Sequence, residues 1–297
     1  MSFFLFPGQG SQVPGMGKDF YEASASARDI FDRAEALRGG GFLKSIFDGT
    51  AEELSQTRLT QVALLTVEVA IAKHLLAQGY RPTGCAGHSL GEISALVLAE
   101  SLSFEDAFRF VEIRARLMSE DVPAGGMMAV IGAEPEAIET ALPAGAEVAN
   151  YNGPQQTIIS GSIEALDQAE ASLKAAGIKR LMRLPVSGPF HSSYLKPAAE
   201  RLAETLAAIE FKTPVVCFIS SVSGRDEAES SVIRELLAKQ ICSPVRWTDV
   251  MARIGSGNAL EVGPGKVLQG IAKRTSGAPN VIAVGTLEAV ANMEAQV

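Results

Sequence analysis

Gly87-His88-Ser89-Leu90-Gly91 is the one G-x-S-x-G match in the chain. In that spacing a serine sits on a sharp strand-to-helix turn, and small neighbours let the tight backbone close. The turn exposes Oγ, and the N–H of the next residue, Leu90, falls at a helix N-terminus, where it can donate to an oxyanion. The chemistry would be acyl transfer through a serine ester; a glycine-flanked serine in an ordinary βα turn is the plainer alternative. A serine nucleophile needs a base, and the chain has three histidines. His74 falls in an apolar helical stretch and reads as a core or helix-surface residue. His88 adjoins the serine, so its ring should point away from Oγ. His191, in Pro189-Phe190-His191-Ser192-Ser193, reads by itself equally as a base or a surface residue. With the serine upstream, elimination favours the base.

Two further residues have chemistry to offer. In the loop Phe6-Pro7-Gly8-Gln9-Gly10-Ser11-Gln12, glycines permit close backbone approach and Gln9 can donate an N–H to a developing oxyanion. Arg114 lies on a helix with Phe108, Val111 and Leu117 along it, so it should be largely buried. A guanidinium there wants a bidentate anion, and a structural salt bridge satisfies that need as readily as a substrate. Arg116 lies about 200° further around the helix and should face solvent. Neither the N-terminal loop nor Gly263-Pro264-Gly265-Lys266 fits a phosphate-binding pattern.

The elements that must position these residues alternate between strand and helix. Residues 2–6 and 84–88 read as strands. The stretch 60–78 reads as a long buried helix, 91–99 as the helix after the serine, and Ser103, with Asp106 three residues on, as the cap of a helix reaching about Glu120. Next come a strand at 126–132, a helix at 134–142, strands at 146–152 and 156–162, a helix at 163–176 ended by Gly177, and a strand at 178–186. That β-α-β-β-α-β order is a ferredoxin-like unit. After Pro189 the alternation resumes, with helices at 197–209 and 230–241 and strands at 215–219 and 259–262. The expected organisation is one large α/β domain, residues 1–124 and 189–297, with a ferredoxin-like subdomain, residues 125–188, inserted.

Composition narrows the class. With 47% apolar and 20% charged residues the chain is an ordinary globular one, not a disordered one. Its net charge of -8 gives no general attraction to nucleic acid or to an anionic membrane, so neither is expected as a partner. Cys85, Cys217 and Cys242 are odd in number and far apart, which suggests buried free thiols and neither a disulfide framework nor a zinc site. The stretch 62–76 carries Glu68, Lys73 and His74 and does not read as a membrane span; the N-terminus lacks the pattern of a signal peptide. A cytoplasmic enzyme is the expectation.

FPGQGSQ at 6–12, GHSLGE at 87–92, VEIRARLM at 111–118, GPFHSS at 188–193 and EVGPGKVL at 261–268 together resemble the malonyl-CoA:acyl carrier protein transacylase family. The motifs occur in the family's order across nearly the whole chain. The resemblance implies an α/β-hydrolase-like large domain and transfer of a malonyl group from malonyl-CoA to acyl carrier protein, by a monomer without metal or cofactor. Carried over by position, Ser89 would be the acylated nucleophile and His191 the general base. Gln9 and the Leu90 N–H would form the oxyanion hole, and Arg114 would hold the malonyl carboxylate. The backbone carbonyl of Gln240 would orient the histidine. Phe190 would crowd a branched acyl group, a preference worth roughly 1–3 kcal/mol for one methyl. Asn150, Asn152 and Gln156 match cleft-facing polar positions of the family. Ser221-Val222-Ser223-Gly224 departs from its usual Asn-Val-Thr-Gly. A hydrolase of carrier-bound acyl groups would share Ser89 and His191 but would not need Arg114. The same residues fit a fatty-acid enzyme and a free-standing acyltransferase of a polyketide assembly line.

Overall fold

The computed structural model describes residues 2–120 and 122–294. Its larger sheet is parallel, in the order β7-β2-β1-β8-β9, with β1 Ser2–Phe6, β2 Gly84–Gly87, β7 Cys217–Ile219, β8 Asn258–Glu261 and β9 Asn280–Ala283. A parallel sheet covered by helices on both faces must be apolar on both sides of its strands. Accordingly, Phe4, Leu5 and Phe6 are consecutive and all fully buried. The helix Thr57–Ala77 is the core of one face. It packs on the helices Ala25–Arg38, Gly91–Leu98 and Phe104–Glu120. By length and composition it could cross a membrane, but 83% of its most apolar window is buried inside the protein. Its Glu68 is also buried and hydrogen-bonded to Ser94 at 2.5 Å. It is a core helix.

The second sheet is antiparallel, in the order β4-β5-β3-β6, with β3 Gly126–Ile131, β4 Ala146–Gly153, β5 Gln156–Gly161 and β6 Arg180–Arg183. Helices Pro135–Ala141 and Ile163–Ala175 lie between these strands in the chain, giving the ferredoxin-like order expected from sequence. Met128, Val130, Ile159, Leu166 and Leu173 form a core of their own beneath this sheet. β4 also touches the rest of the molecule: Tyr151 N donates to Val245 O at 2.9 Å and Val245 N to Ala149 O at 2.8 Å.

Several expectations need adjustment. β6 is four residues long, shorter than the expected 178–186, because Pro185 has no N–H to continue the ladder. The 215–219 strand begins only at Cys217. The last turn of the 230–241 helix is a separate 3-10 turn, Gln240–Cys242. Of the three thiols only Cys85 is buried; Cys217 is exposed and Cys242 half-buried. Ser103 caps its helix as expected, accepting from Asp106 N at 3.1 Å.

Candidate active site

Ser89 sits where the parallel sheet ends, between β2 and the helix Gly91–Leu98. Its φ is 52°, a left-handed conformation that a non-glycine residue adopts only when its surroundings enforce it. The flanking glycines supply the enforcement. A Cβ on Gly87 would lie 1.9 Å from the Gly91 carbonyl carbon, and one on Gly91 would lie 2.1 Å from Phe6 O. The turn therefore closes against both its own helix and the end of β1, and any side chain at either glycine would open it. His88 points away from Oγ, as expected: its Nε2 meets Asn152 Oδ1 at 2.8 Å and its ring packs edge-on against Trp247.

His191 lies 102 residues further along and reaches Ser89 Oγ with Nε2 at 2.7 Å. Its own φ is 58°, and its backbone N–H is held by Ile241 O at 2.9 Å. Nδ1 faces two carbonyl oxygens, Gln240 at 3.0 Å and Ser243 at 3.2 Å. Acceptors on that side put the proton on Nδ1 and leave Nε2 with a lone pair for the serine hydroxyl. Burial pushes the His191 pKa down to about 3, and the positive charge of Arg114 adds to the effect. The ring is thus a neutral base at any pH near 7.

Arg114 is 1% exposed, and its partners are neutral. Nη1 donates to Gln61 Oε1 at 2.6 Å; Nη2 donates to Gln240 Oε1 at 2.9 Å and to Ser89 Oγ at 3.2 Å. Nε has no partner. Among the described residues no salt bridge involves it, so the structural ion pair that the sequence left open is not formed. Burial lowers its pKa to about 10, against the pull of Glu92, so the guanidinium stays charged at neutral pH. A buried cation beside the serine and without a carboxylate partner is suited to an anion.

These groups line one cavity of about 110 Å³, together with Gln9, Leu90, Asn150 and Phe190. Met118, Met127, Ile158, Leu184 and Val186 supply its apolar wall. The Leu90 N–H has no protein acceptor among the described residues. Gln9 spends one amide N–H on Thr57 Oγ1 at 3.2 Å, which leaves its second. Gln240 is not a wall of the cavity but backs it, through its carbonyl to His191 and its side chain to Arg114. Of the three polar positions in the insert, Asn150 lines the cavity. Asn152 instead serves His88, and Gln156 faces a different groove beside Arg274. His74, buried against Ser24 and Phe20, is a core residue.

Sequence reasoning missed Gln61, which lines the cavity, and Glu92, Ser220 and Ser221, which are buried behind it. The available signal was polar residues inside apolar helices: Gln61 in Thr57–Ala77 and Glu92 in Gly91–Leu98. A carboxylate or amide in such a place needs buried partners.

A left-handed serine bonded to a neutral histidine, with a helix N-terminus on one side and a cation without a carboxylate partner on the other, is an arrangement suited to acyl transfer with an anionic acyl group. The comparisons agree with that class. The acyl transferase domain family matches residues 3–293. The malonyl CoA-acyl carrier protein transacylase of Bacillus subtilis (strain 168) is 42% identical over 97% of this chain and 94% of its own. That of Escherichia coli (strain K12) is 43% identical over 91% of each chain. The chain belongs to the acyl transferase domain family and, within it, to the malonyl CoA-acyl carrier protein transacylases. Solved structures overlay closely. An acyl carrier protein S-malonyltransferase from Vibrio cholerae has a TM-score of 0.93 at 39% identity, covering 98% of this chain and 99% of that one. A malonyl-transacylase solved in complex with its type II PKS acyl-carrier protein has a TM-score of 0.93 at 37% identity, covering 100% of both.

Proposed function

We propose that this protein moves a malonyl group from malonyl-CoA to the phosphopantetheine thiol of acyl carrier protein, in two half-reactions through an ester on Ser89. The observation that carries the reading is the Arg114 guanidinium, buried without a carboxylate partner and 3.2 Å from Ser89 Oγ. An ester on Ser89 puts the free carboxylate of a malonyl group within its reach. A neutral acyl group would leave the cation unpaired.

In the first half-reaction His191 Nε2 takes the hydroxyl proton as Ser89 Oγ attacks the thioester carbonyl. The Leu90 N–H and the spare N–H of Gln9 stabilise the oxyanion. When the tetrahedral intermediate collapses, the C–S bond breaks and the thiol of CoA leaves with the proton from His191. In the second half-reaction the carrier thiol gives its proton to His191 and attacks the ester, and Ser89 recovers the proton as it leaves. The histidine is oriented by carbonyls instead of a carboxylate, which makes it a mild base. That is enough for a thioester, whose carbonyl is more reactive than an amide's. Phe190 narrows the cavity and favours malonyl over a branched acyl group. The division into residues 1–124 with 189–297 and an insert at 125–188, and a cytoplasmic location, belong to the same proposal.

Incubation with malonyl-CoA alone should add one malonyl mass to the peptide that contains Ser89. Ser89→Ala should abolish the adduct, and His191→Ala should slow both its formation and its discharge. A label on a cysteine instead, read by peptide mass spectrometry, would overturn the mechanism.

A further inference from the structure

Glu92 is the only acid in the helix Gly91–Leu98, whose other residues are apolar apart from Ser94. It is 2% exposed and faces Gln240, not the cavity. Both of its carboxylate oxygens are saturated. Oε1 accepts from Ser220 Oγ at 2.7 Å and Ser221 N at 3.2 Å; Oε2 accepts from Ser221 Oγ at 2.6 Å and Gln240 Nε2 at 2.7 Å. Gln240 Nε2 has a second acceptor, Ser89 O, at 2.9 Å.

An amide has one donating end and one accepting end. With Nε2 held between a carboxylate and a carbonyl, Oε1 must face the other way, where it accepts from Arg114 Nη2 at 2.9 Å. A flipped amide would set N–H against guanidinium N–H on one side and oxygen against two acceptors on the other. The arrangement also solves an electrostatic problem. A carboxylate paired directly with Arg114 would offset its charge but occupy the fork that the acyl carboxylate needs. With the Gln240 amide between them, Glu92 offsets the charge from a distance and leaves Arg114 with neutral partners only.

We infer that Glu92 is a positioning residue for acyl-group selectivity: through the Gln240 amide it fixes the Arg114 guanidinium for the carboxylate of the incoming acyl group. The inference rests on the proposed role of Arg114 and adds to it the residue that sets its geometry. The isosteric Glu92→Gln replaces the charged acceptor of Gln240 Nε2 with a neutral amide, so the Gln240 amide keeps Ser89 O and Arg114 as partners but is held less firmly. Selectivity, and not activity as a whole, should then fall. The measurement is kcat/KM for self-acylation with malonyl-CoA and with acetyl-CoA, with folding checked by thermal melting. Loss of one charge-assisted hydrogen bond corresponds to about a tenfold drop in the malonyl-to-acetyl ratio. Arg114→Ala runs in parallel. If that variant loses the ratio while folded Glu92→Gln keeps it within about twofold, Glu92 is merely structural and the inference fails alone. If Arg114→Ala keeps the ratio, the reading of Arg114 fails and the inference with it. Should Glu92→Gln not fold, Ser221→Ala decides. It removes one donor from the oxygen that holds Gln240, so a ratio reduced by about threefold supports the inference and an unchanged one overturns it.

Discussion

Replacing Arg114 with alanine removes the one charged group that the cavity offers to an acyl carboxylate. The magnitude follows from its surroundings. The side chain is 1% exposed, so solvent cannot screen it, and its hydrogen-bond partners Gln61, Gln240 and Ser89 carry no charge. A malonyl carboxylate entering the variant would be buried with no cation. Breaking a buried pair in this way costs roughly 3–5 kcal/mol, and each 1.4 kcal/mol is about tenfold in rate. The kcat/KM for malonyl-CoA should therefore fall by roughly two to four orders of magnitude. Acetyl-CoA brings no carboxylate to strand, so its turnover should fall little or rise in the enlarged apolar space. Stopped-flow or quench-flow acylation with both thioesters gives the ratio directly. Arg114→Lys retains the charge but not the planar fork and should fall between the two. Equal losses on both substrates in a folded Arg114→Ala protein would refute the reasoning, because they would make Arg114 a structural residue.

Three further outcomes are expected. Burial and the Arg114 charge push His191 down to about 3, so the base stays deprotonated as pH falls; kcat/KM for malonyl-CoA should be nearly flat from pH 8 to 5. An imidazole at its ordinary value of about 6.5 would lose roughly thirtyfold by pH 5, so a profile with a midpoint between 6 and 7 contradicts the structure. Arg114→Ala removes a positive charge that lowers the His191 pKa, so its acid limb should move upward in pH. Gly91→Ala would place a Cβ 2.1 Å from Phe6 O and 2.5 Å from Pro7 O, both backbone atoms. Overpacking of that kind costs roughly 1–3 kcal/mol, so chemical denaturation should show lower stability and Ser89 should acylate slowly; wild-type behaviour in both assays would mean that the elbow tolerates a side chain there.

The serine turn was legible because its constraint is local. A serine on this turn needs glycine two positions before and after it, and Gly87 and Gly91 meet backbone within about two ångströms of where a Cβ would stand. The insert was legible for a similar reason, since its strands and helices follow one another at their own periods. β9 gave no such signal: Asn280–Ala283 is four residues long and becomes a strand only through its parallel ladder with β8. The short helices before residue 56 also escaped, their cores being only a few residues each.

What the sequence singled out by itself was Ser89, the class of fold around it and, by elimination among three histidines, His191, which the fold brings to 2.7 Å from Ser89 Oγ. What it left open for Arg114 only the tertiary structure decided. A buried guanidinium wants an acceptor, and nothing local says whether that acceptor belongs to the protein. Gln61 and Gln240, from segments on either side of it in the chain, offer it neutral oxygens, while Glu92, the nearby acid, is held back by the Gln240 amide and by Ser220 and Ser221. The periodicity of a helix fixes which side chains are buried; which charge each one meets there depends on segments 25 to 150 residues away, and those meet only when the sheet and its helices close.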